Sequence, residues 1–249
     1  LQRLWRLLMT VSTTCSFRNA LLTTITVLAT LPGVASSATV DTDRPTVLVT
    51  GANRGIGLAL AEHYVTAGWN VLAAIRTPDG ATELRNLAET YEHLIIEQLD
   101  VTDSARIEAL AEAYRDMPID VLINNAGVYG DIETQSWGSL EASTFNQVFA
   151  VNVLAPMKMA EAFAEHVAAS EQRKIVSITS GAGSVSRDGR PGGGMFYGVS
   201  KAALNMAMRQ VRAELKDRSV VVALIAPGLV ATDMLAVSRP TLVSRAQTP

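Results

Sequence analysis

Tyr197 and Lys201 stand four residues apart in the segment Tyr197-Gly198-Val199-Ser200-Lys201. On a helix this spacing projects both side chains from one face, so a phenol and an ammonium can act on a single bound molecule. A cation beside a phenol favours the phenolate and draws the Tyr pKa down from its ordinary value near ~10. Tyr197 is therefore a candidate general acid/base. Tyr and Lys are also common on helix surfaces, and the pair gains weight from three segments upstream.

The first is Thr50-Gly51-Ala52-Asn53-Arg54-Gly55-Ile56-Gly57, directly after the apolar run from Thr46 to Val49 and ahead of Leu58-Ala59-Leu60-Ala61. It reads as strand, tight loop and helix start. Glycine lets backbone approach a pyrophosphate closely, and free N–H groups at a helix start attract its charge. The first two glycines are three residues apart, so the general G-x-G-x-x-G pattern does not apply unmodified, and a plain strand-to-helix turn remains open. The second segment, Asp120-Val121-Leu122-Ile123-Asn124-Asn125-Ala126-Gly127, ends an apolar strand in two amides and a small pair. A flat ring could lie on bare backbone there while the amides satisfy buried neighbours; an ordinary Asn-Gly turn is the alternative. The third, Lys174-Ile175-Val176-Ser177-Ile178-Thr179-Ser180-Gly181, ends a strand on a hydroxyl.

The elements that must position these residues follow from hydrophobic patterning. Strand-like runs at 46–50, 70–75, 94–99, 119–123, 174–179 and 219–226 alternate with helical patterns. Apolar strands alternating with helices predict an α/β fold with a doubly wound parallel sheet covered on both faces. Gly51, Asn125 and Ser180 then share the edge at which such sheets bind ligands. In the last long helix, Leu204, Met208, Val211 and Leu215 form a stripe predicted to be core. At 249 residues and 48% hydrophobic, without internal repeats, the chain suffices for one well-buried domain.

Taken together, the glycine loop, Asn124-Asn125-Ala126-Gly127, Asn152, Ser180, Tyr197 with Lys201, and Pro227-Gly228-Leu229-Val230-Ala231-Thr232 resemble the short-chain dehydrogenases/reductases, in family order from about Thr46 to Met234. Within that family the chain is most similar to the C-factor and sniffer-type carbonyl reductases. The finer features are Asn125-Ala126-Gly127-Val128-Tyr129-Gly130, Val151-Asn152-Val153-Leu154-Ala155-Pro156 and Gly192-Gly193-Gly194-Met195. The resemblance implies a Rossmann-like domain over residues 45–234 that transfers hydride between a nicotinamide and a small carbonyl or alcohol substrate. It implies that Tyr197 exchanges a proton with the substrate oxygen, Lys201 tunes Tyr197 and holds the nicotinamide ribose, Ser180 orients the carbonyl, and Asn152 positions a relay water. By the same resemblance Gly51, Asn53, Arg54, Gly55, Ile56 and Gly57 surround the pyrophosphate. Asp100 and Val101 border the adenine, while Asn125, Ala126 and Gly127 line the cofactor. Pro227, Gly228 and Val230 shape the turn from which Thr232 bonds the nicotinamide amide.

Charge argues the choice of cofactor. The second strand ends in Ala73-Ala74-Ile75-Arg76, with no carboxylate where one would bind an adenosine ribose 2′-hydroxyl. Arg76 and Arg54 suit a 2′-phosphate instead, so NADP(H) is expected over NAD(H); either Arg could equally be a solvated surface charge. No metal is expected: His63, His93 and His166 lie in separate segments without ligand spacing and are predicted to be surface residues.

Two features depart from the family. Tyr197 follows Ser180 by 17 residues, a longer separation than usual, and Ser184 is the rival hydroxyl; Ser180 is preferred because it ends the apolar strand. Residues 235–249 read as an irregular tail without a further apolar strand, which predicts an uncovered sixth strand and a truncated domain. At the other end, residues 1–40 carry Arg3, Arg6 and Arg18, the apolar stretch Ala20–Leu31 and then Val34-Ala35-Ser36-Ser37-Ala38. This is the outline of a signal peptide, with Met9 as an alternative start, and a membrane anchor is the other reading. The single Cys15 falls inside it. The family implies a cytoplasmic protein, whereas a working leader implies export. A net charge of −3 without a basic stripe argues against nucleic acid as a partner, and a homo-oligomer is compatible with the sequence. The expected function is that of an NADP(H)-dependent oxidoreductase; a dinucleotide-binding signalling protein without turnover and an inactive fragment are the alternatives.

Overall fold

The computed structural model describes residues 40–186, 194–238 and 240–249. The leader, with Met9 and Cys15, and the loop from Arg187 to Gly193 lie outside the described residues. Six strands form: β1 (Thr46–Thr50), β2 (Asn70–Ile75), β3 (Leu94–Gln98), β4 (Val121–Asn124), β5 (Lys174–Ile178) and β6 (Val221–Ile225). Each falls within two residues of its expected run. All pair in parallel, in the order β3-β2-β1-β4-β5-β6. The helices between them are α1 (Gly55–Thr66), α2 (Thr82–Thr90), α3 (Ser104–Ala113), α4 (Ala142–Phe149), α5 (Ala155–Ala162), α6 (Ala164–Ala168), α7 (Met195–Glu214) and α8 (Asp233–Ser238).

Strand alternation sorts the core into two layers. Leu48, Leu72, Leu122 and Ile175 face one side, where they meet Ile107 of α3, Met159 of α5 and Val167 of α6. Val47, Val49, Val71, Ala73 and Ile123 face the other and meet Ala61 and Val65 of α1 and Leu84 of α2. The register pairs Leu48 with both Leu72 and Leu122, so like faces like across the three central strands. In α7, Leu204, Met208 and Leu215 are buried and Val211 packs against the first layer, as the stripe predicted.

The chain reverses its direction of winding at β1. Strands β2 and β3 lie on one side of it and β4 on the other, which opens a crevice at the carboxyl ends of β1 and β4. At the opposite end of the sheet Asp120 fastens three strands together. Its carboxylate accepts the Thr46 N–H at 2.9 Å and the Gln172 N–H at 3.2 Å. Its backbone donates to Thr46 O and accepts from Lys174 N.

Among the described residues β6 is an edge strand paired only with β5, and Val221, Leu224 and Ile225 are exposed along it. The expectation of an uncovered sixth strand agrees. The tail, however, is not irregular throughout. It contains α8 and a 3-10 helix (Pro240–Arg245), and Gln247 forms a parallel bridge with Val230 just beyond β6. Asp233 opens α8 as an acidic residue at a helix N-terminus, where it is favoured.

Because Asp120 is buried and satisfies a buried N–H, Asp120→Ala is expected to lower the unfolding free energy by about 1–3 kcal/mol. Asp120→Asn, which retains one acceptor, should lose less. Urea unfolding of the two variants checks this, and equal losses would remove Asp120 from its role.

Candidate active site

The crevice begins at the glycine loop. Gly51 and Gly55 hold positive φ angles of 67° and 53°, which a side chain would resist. A Cβ on Gly51 would stand 2.9 Å from Ala126 Cα. On Gly57, in the first turn of α1, it would run into the Gly51 carbonyl oxygen and lie 2.5 Å from Asn125 Nδ2. Asn53 and Ile56 are half-buried beside these positions. The first turn of α1 has neither a side-chain cap nor an acidic residue, so its N–H groups and dipole face the crevice without a carboxylate to neutralise them.

Hydrogen bonds seal this loop to the end of β4. Thr50 Oγ1 accepts the N–H groups of Asn125 and Ala126, both at 3.1 Å, and donates to Ile123 O at 3.3 Å. In return Asn125 Nδ2 donates to the carbonyls of Thr50 (2.9 Å) and Gly51 (3.1 Å). Asn124 Nδ2 reaches Ser177 Oγ and Pro156 O, which ties β4 to β5 and α5. The amides thus serve their buried neighbours as expected. Thr50 had carried no expectation of its own; a hydroxyl-bearing β-branched residue at the last position of the strand was the available signal.

Tyr197 and Lys201 lie on the first turns of α7, on one face of the helix. Lys201 is 5% exposed; its Nζ sits 5.8 Å from the centroid of the Tyr197 ring and donates to Ile178 O at 2.9 Å. Burial disfavours the charged ammonium and lowers the Lys201 pKa from 10.5 to about 8. The bare face of Gly127 looks toward the same point: a Cβ there would be 3.4 Å from Asn152 Oδ1 and 3.7 Å from Lys201 Nζ.

Asn152 lies in a π-helical turn (Ala150–Leu154) between α4 and α5 and is fully buried. Its Oδ1 accepts Val128 N–H at 2.9 Å, and its Nδ2 donates to Val128 O at 2.8 Å and Ser200 Oγ at 3.0 Å. Ser180 caps the 3-10 turn Gly181–Gly183, accepting Ala182 N–H at 3.1 Å. That turn presses against α7 at Lys201, where a Cβ on Gly183 would lie 2.6 Å from the Lys201 carbonyl carbon. Ser184 Oγ, the rival hydroxyl, is bonded to Ser186 Oγ at 3.0 Å.

The remaining predicted residues divide. Thr232 packs beside Gly55, with its Cγ2 at 3.0 Å from the position of a Cβ there, so the segment after β6 reaches the glycine loop. Gly228 turns with φ 82°, between half-buried Pro227 and Val230. Asp100 accepts the N–H and hydroxyl of Thr102 at 2.9 and 2.7 Å; those bonds, with Arg76, hold its pKa below the ordinary value. Val101 next to it is half-buried, and Arg76 is exposed at the end of β2. Arg54 is not free toward the crevice: its Nη1 pairs with Asp233 at 3.1 Å, both side chains exposed.

The histidines correct the sequence reading. His63 is exposed, but His166 is buried with Nε2 3.0 Å from Ala111 O, and half-buried His93 sits 3.0 Å from Val65 O. Both engage carbonyls far away in sequence. Tyr114 is also a partly buried phenol, but it is committed to Glu97 Oε1 at 2.6 Å, and burial together with that carboxylate pushes its pKa up. It belongs to the β3–α3 packing.

The lowered Lys201 pKa is a statement about stability. Below pH 8 both folded and unfolded chains carry the proton, and the burial penalty is full; between 8 and 10.5 only the unfolded chain keeps it, so stability rises with pH across that window. Lys201→Met should therefore be more stable than the parent at pH 7, on the order of 2 kcal/mol. That advantage should shrink above pH 8. Urea unfolding at pH 7 and pH 9.5 measures it, and an advantage that grew with pH would refute the assignment.

Residues 45–242 match the family model for short chain dehydrogenase. L-xylo-3-hexulose reductase of Hypocrea jecorina is 32% identical, over 80% of this chain and 71% of its own. Among solved structures, a short-chain dehydrogenase/reductase from Burkholderia multivorans with bound NADP superposes with a TM-score of 0.69 at 34% identity, covering 81% of this chain and 90% of that one. An NADPH-bound carbonyl reductase from chicken fatty liver gives a TM-score of 0.69 at 32% identity, covering 77% and 78%. With its parallel sheet, its glycine loop and a Tyr-Lys pair at the crevice, the chain belongs to the short-chain dehydrogenase family.

Proposed function

We propose that the protein is an NADP(H)-dependent carbonyl reductase or alcohol dehydrogenase with Tyr197 as its general acid/base. The observation that carries this reading is the placement of the buried Lys201 ammonium, 5.8 Å from the Tyr197 ring and facing bare backbone at Gly127. The residues present fit a dinucleotide. Gly51 and Gly57 leave backbone where any side chain would collide, and the first turn of α1 carries no carboxylate to repel a pyrophosphate. Arg76, exposed at the end of β2, suits a 2′-phosphate. Arg54 joins it by exchanging Asp233 for the phosphate.

When bound, the reduced nicotinamide supplies the hydride. Tyr197 gives its phenolic proton to the substrate oxygen as negative charge develops there, or takes it back in the oxidative direction. Lys201 holds a positive charge near that phenol and bonds the ribose hydroxyls. Ser180 orients the carbonyl, in preference to Ser184, whose hydroxyl is bonded to Ser186. Asn152 anchors the Val128 backbone on both its N–H and C=O sides and so supports the water relay the family suggests. Within the family the finer motifs favour the C-factor and sniffer-type branch. Phe145, Leu154 and Met157 are exposed along α4, the π turn and α5, which fits a homo-oligomer. No helix of the described residues is long and apolar enough to cross a membrane.

The purified 249-residue chain should oxidise NADPH with a panel of aldehydes and ketones. Tyr197→Phe is expected to lower that rate by about 10²–10⁴-fold while NADPH affinity stays within a few-fold. Arg76→Ala should weaken NADPH by about 1.5–3 kcal/mol and leave NADH nearly unchanged. Fluorescence titration with both nucleotides distinguishes the outcomes: equal loss contradicts the 2′-phosphate contact, and NADPH binding without turnover on any carbonyl favours a signalling role.

A further inference from the structure

The loop after β4 holds the first turn of α7 from outside the helix. Helix α7 starts after Gly194 without a side-chain cap, and the first N–H groups of any helix need acceptors. Gln135, fully buried, provides one: its Oε1 accepts the Tyr197 N–H at 3.2 Å. The Nε2 of the same amide donates to the carbonyl oxygens of Tyr129 and Asp131, both at 2.9 Å. One amide thus spends its acceptor on α7 and its donors on the turn beneath it.

Tyr129 makes the second link. Its hydroxyl accepts the Gly194 N–H at 2.9 Å, and its ring stacks on that of Tyr197 with centroids 4.7 Å apart and planes at 25°. Two glycines leave room for this clamp. A Cβ on Gly194 would lie 2.5 Å from Tyr129 Cε1 and 2.8 Å from Gln135 Oε1. On Gly130, where φ is 82°, it would lie 2.6 Å from Val148 Cγ2 and 3.0 Å from Gln135 Nε2.

We propose that Gln135, with Tyr129, is a positioning residue for the reaction: it caps α7 in trans and fixes the Tyr197 phenol over the crevice. The inference rests on the oxidoreductase reading given above. Only a neutral amide serves all three partners. Methionine of similar volume would leave the Tyr197 N–H and two carbonyls without partners, and a carboxylate could accept from Tyr197 but would face two carbonyl oxygens without a proton to share.

The test compares the parent chain with Gln135→Met, Gln135→Glu and Tyr129→Phe. Three quantities are measured: amide hydrogen exchange over residues 194–201, the NADPH dissociation constant, and kcat for carbonyl reduction as a function of pH. In Gln135→Met the exchange of the first turn of α7 should quicken about tenfold or more, and kcat should fall by about 10- to 100-fold, since small displacements of a catalytic group are costly. NADPH affinity should stay within about twofold. In Gln135→Glu the kcat relative to parent should rise as pH falls, because the protonated carboxyl regains one donor. Tyr129→Phe keeps the stacking and should show a smaller loss of the same kind.

Parent-like kcat or unchanged exchange in Gln135→Met overturns the proposal. So does a Gln135→Glu deficit independent of pH and matched by an equal loss of cofactor binding, since that is what a purely structural residue would give. If Gln135→Met does not fold, the Gln135→Glu pH ratio and the Tyr129→Phe exchange decide the question. A parent that binds NADPH yet reduces no carbonyl overturns the oxidoreductase reading instead, while the exchange data still judge the clamp.

Discussion

Everything at the crevice depends on backbone meeting backbone at Gly51, Gly57 and Ala126. The separation there is set by hydrogen bonds that run both ways: the Thr50 hydroxyl receives two N–H groups from the segment just after β4, and the Asn125 amide returns two bonds to the carbonyls of Thr50 and Gly51. Only the Thr50 hydroxyl and the Asn125 amide stand between the two segments, and both hold the peptide dipoles at the mouth of the crevice in fixed orientation. Oriented peptide groups need no reorganisation when charge arrives, which distinguishes them from flexible lysines or arginines on a surface. The two apolar layers behind β1 and β4 keep this geometry from relaxing.

A cation is buried a few ångströms farther on, and the fold must tolerate it. Lys201 gives up most of its hydration for one carbonyl partner, Ile178 O, and the proximity of a phenol. An isolated buried charge is among the least favourable things a core can contain. Its presence beside Asn152, which is also fully buried and bonded to main chain, marks a region where stability is sacrificed for polarity. The rest of α7 compensates with Leu204 and Met208, both about 1% exposed.

Much of this was legible in the chain itself. Fully buried strands are nearly uniform apolar runs, and β1 and β2 fell on the expected residues because every position in them is buried. The glycine loop and the Tyr197–Lys201 spacing were visible for a related reason: their constraints are local. What escaped was long-range. His166 carries no local sign of burial, since its acceptor, Ala111 O, lies 55 residues away. Arg54 meets Asp233 across 179 residues, and the use of Gln135 depends on an N–H 62 residues downstream. Pairings of this kind belong to the fold, and no periodicity encodes them.

The π turn between α4 and α5 has a consequence for how this chain can change in length. Buried residues recur at Thr144, Val148, Asn152 and Pro156, three successive steps of four, before Met159 and Phe163. Steps of four on a regular helix drift by about 40° each, so three of them would carry the row well off the core-facing side. A wider turn absorbs that drift, and Pro156, having no N–H to donate, sits where a regular helix would have been broken. The turn is equivalent to one inserted residue in an otherwise continuous helix. Losing a single residue from Ala150–Leu154 would restore regular winding with the two halves still in register, whereas losing a second would rotate one half against the other by about 100°. A one-residue deletion is thus the change of length that the winding of this stretch can absorb, at the cost of displacing Asn152 from Val128 and Ser200.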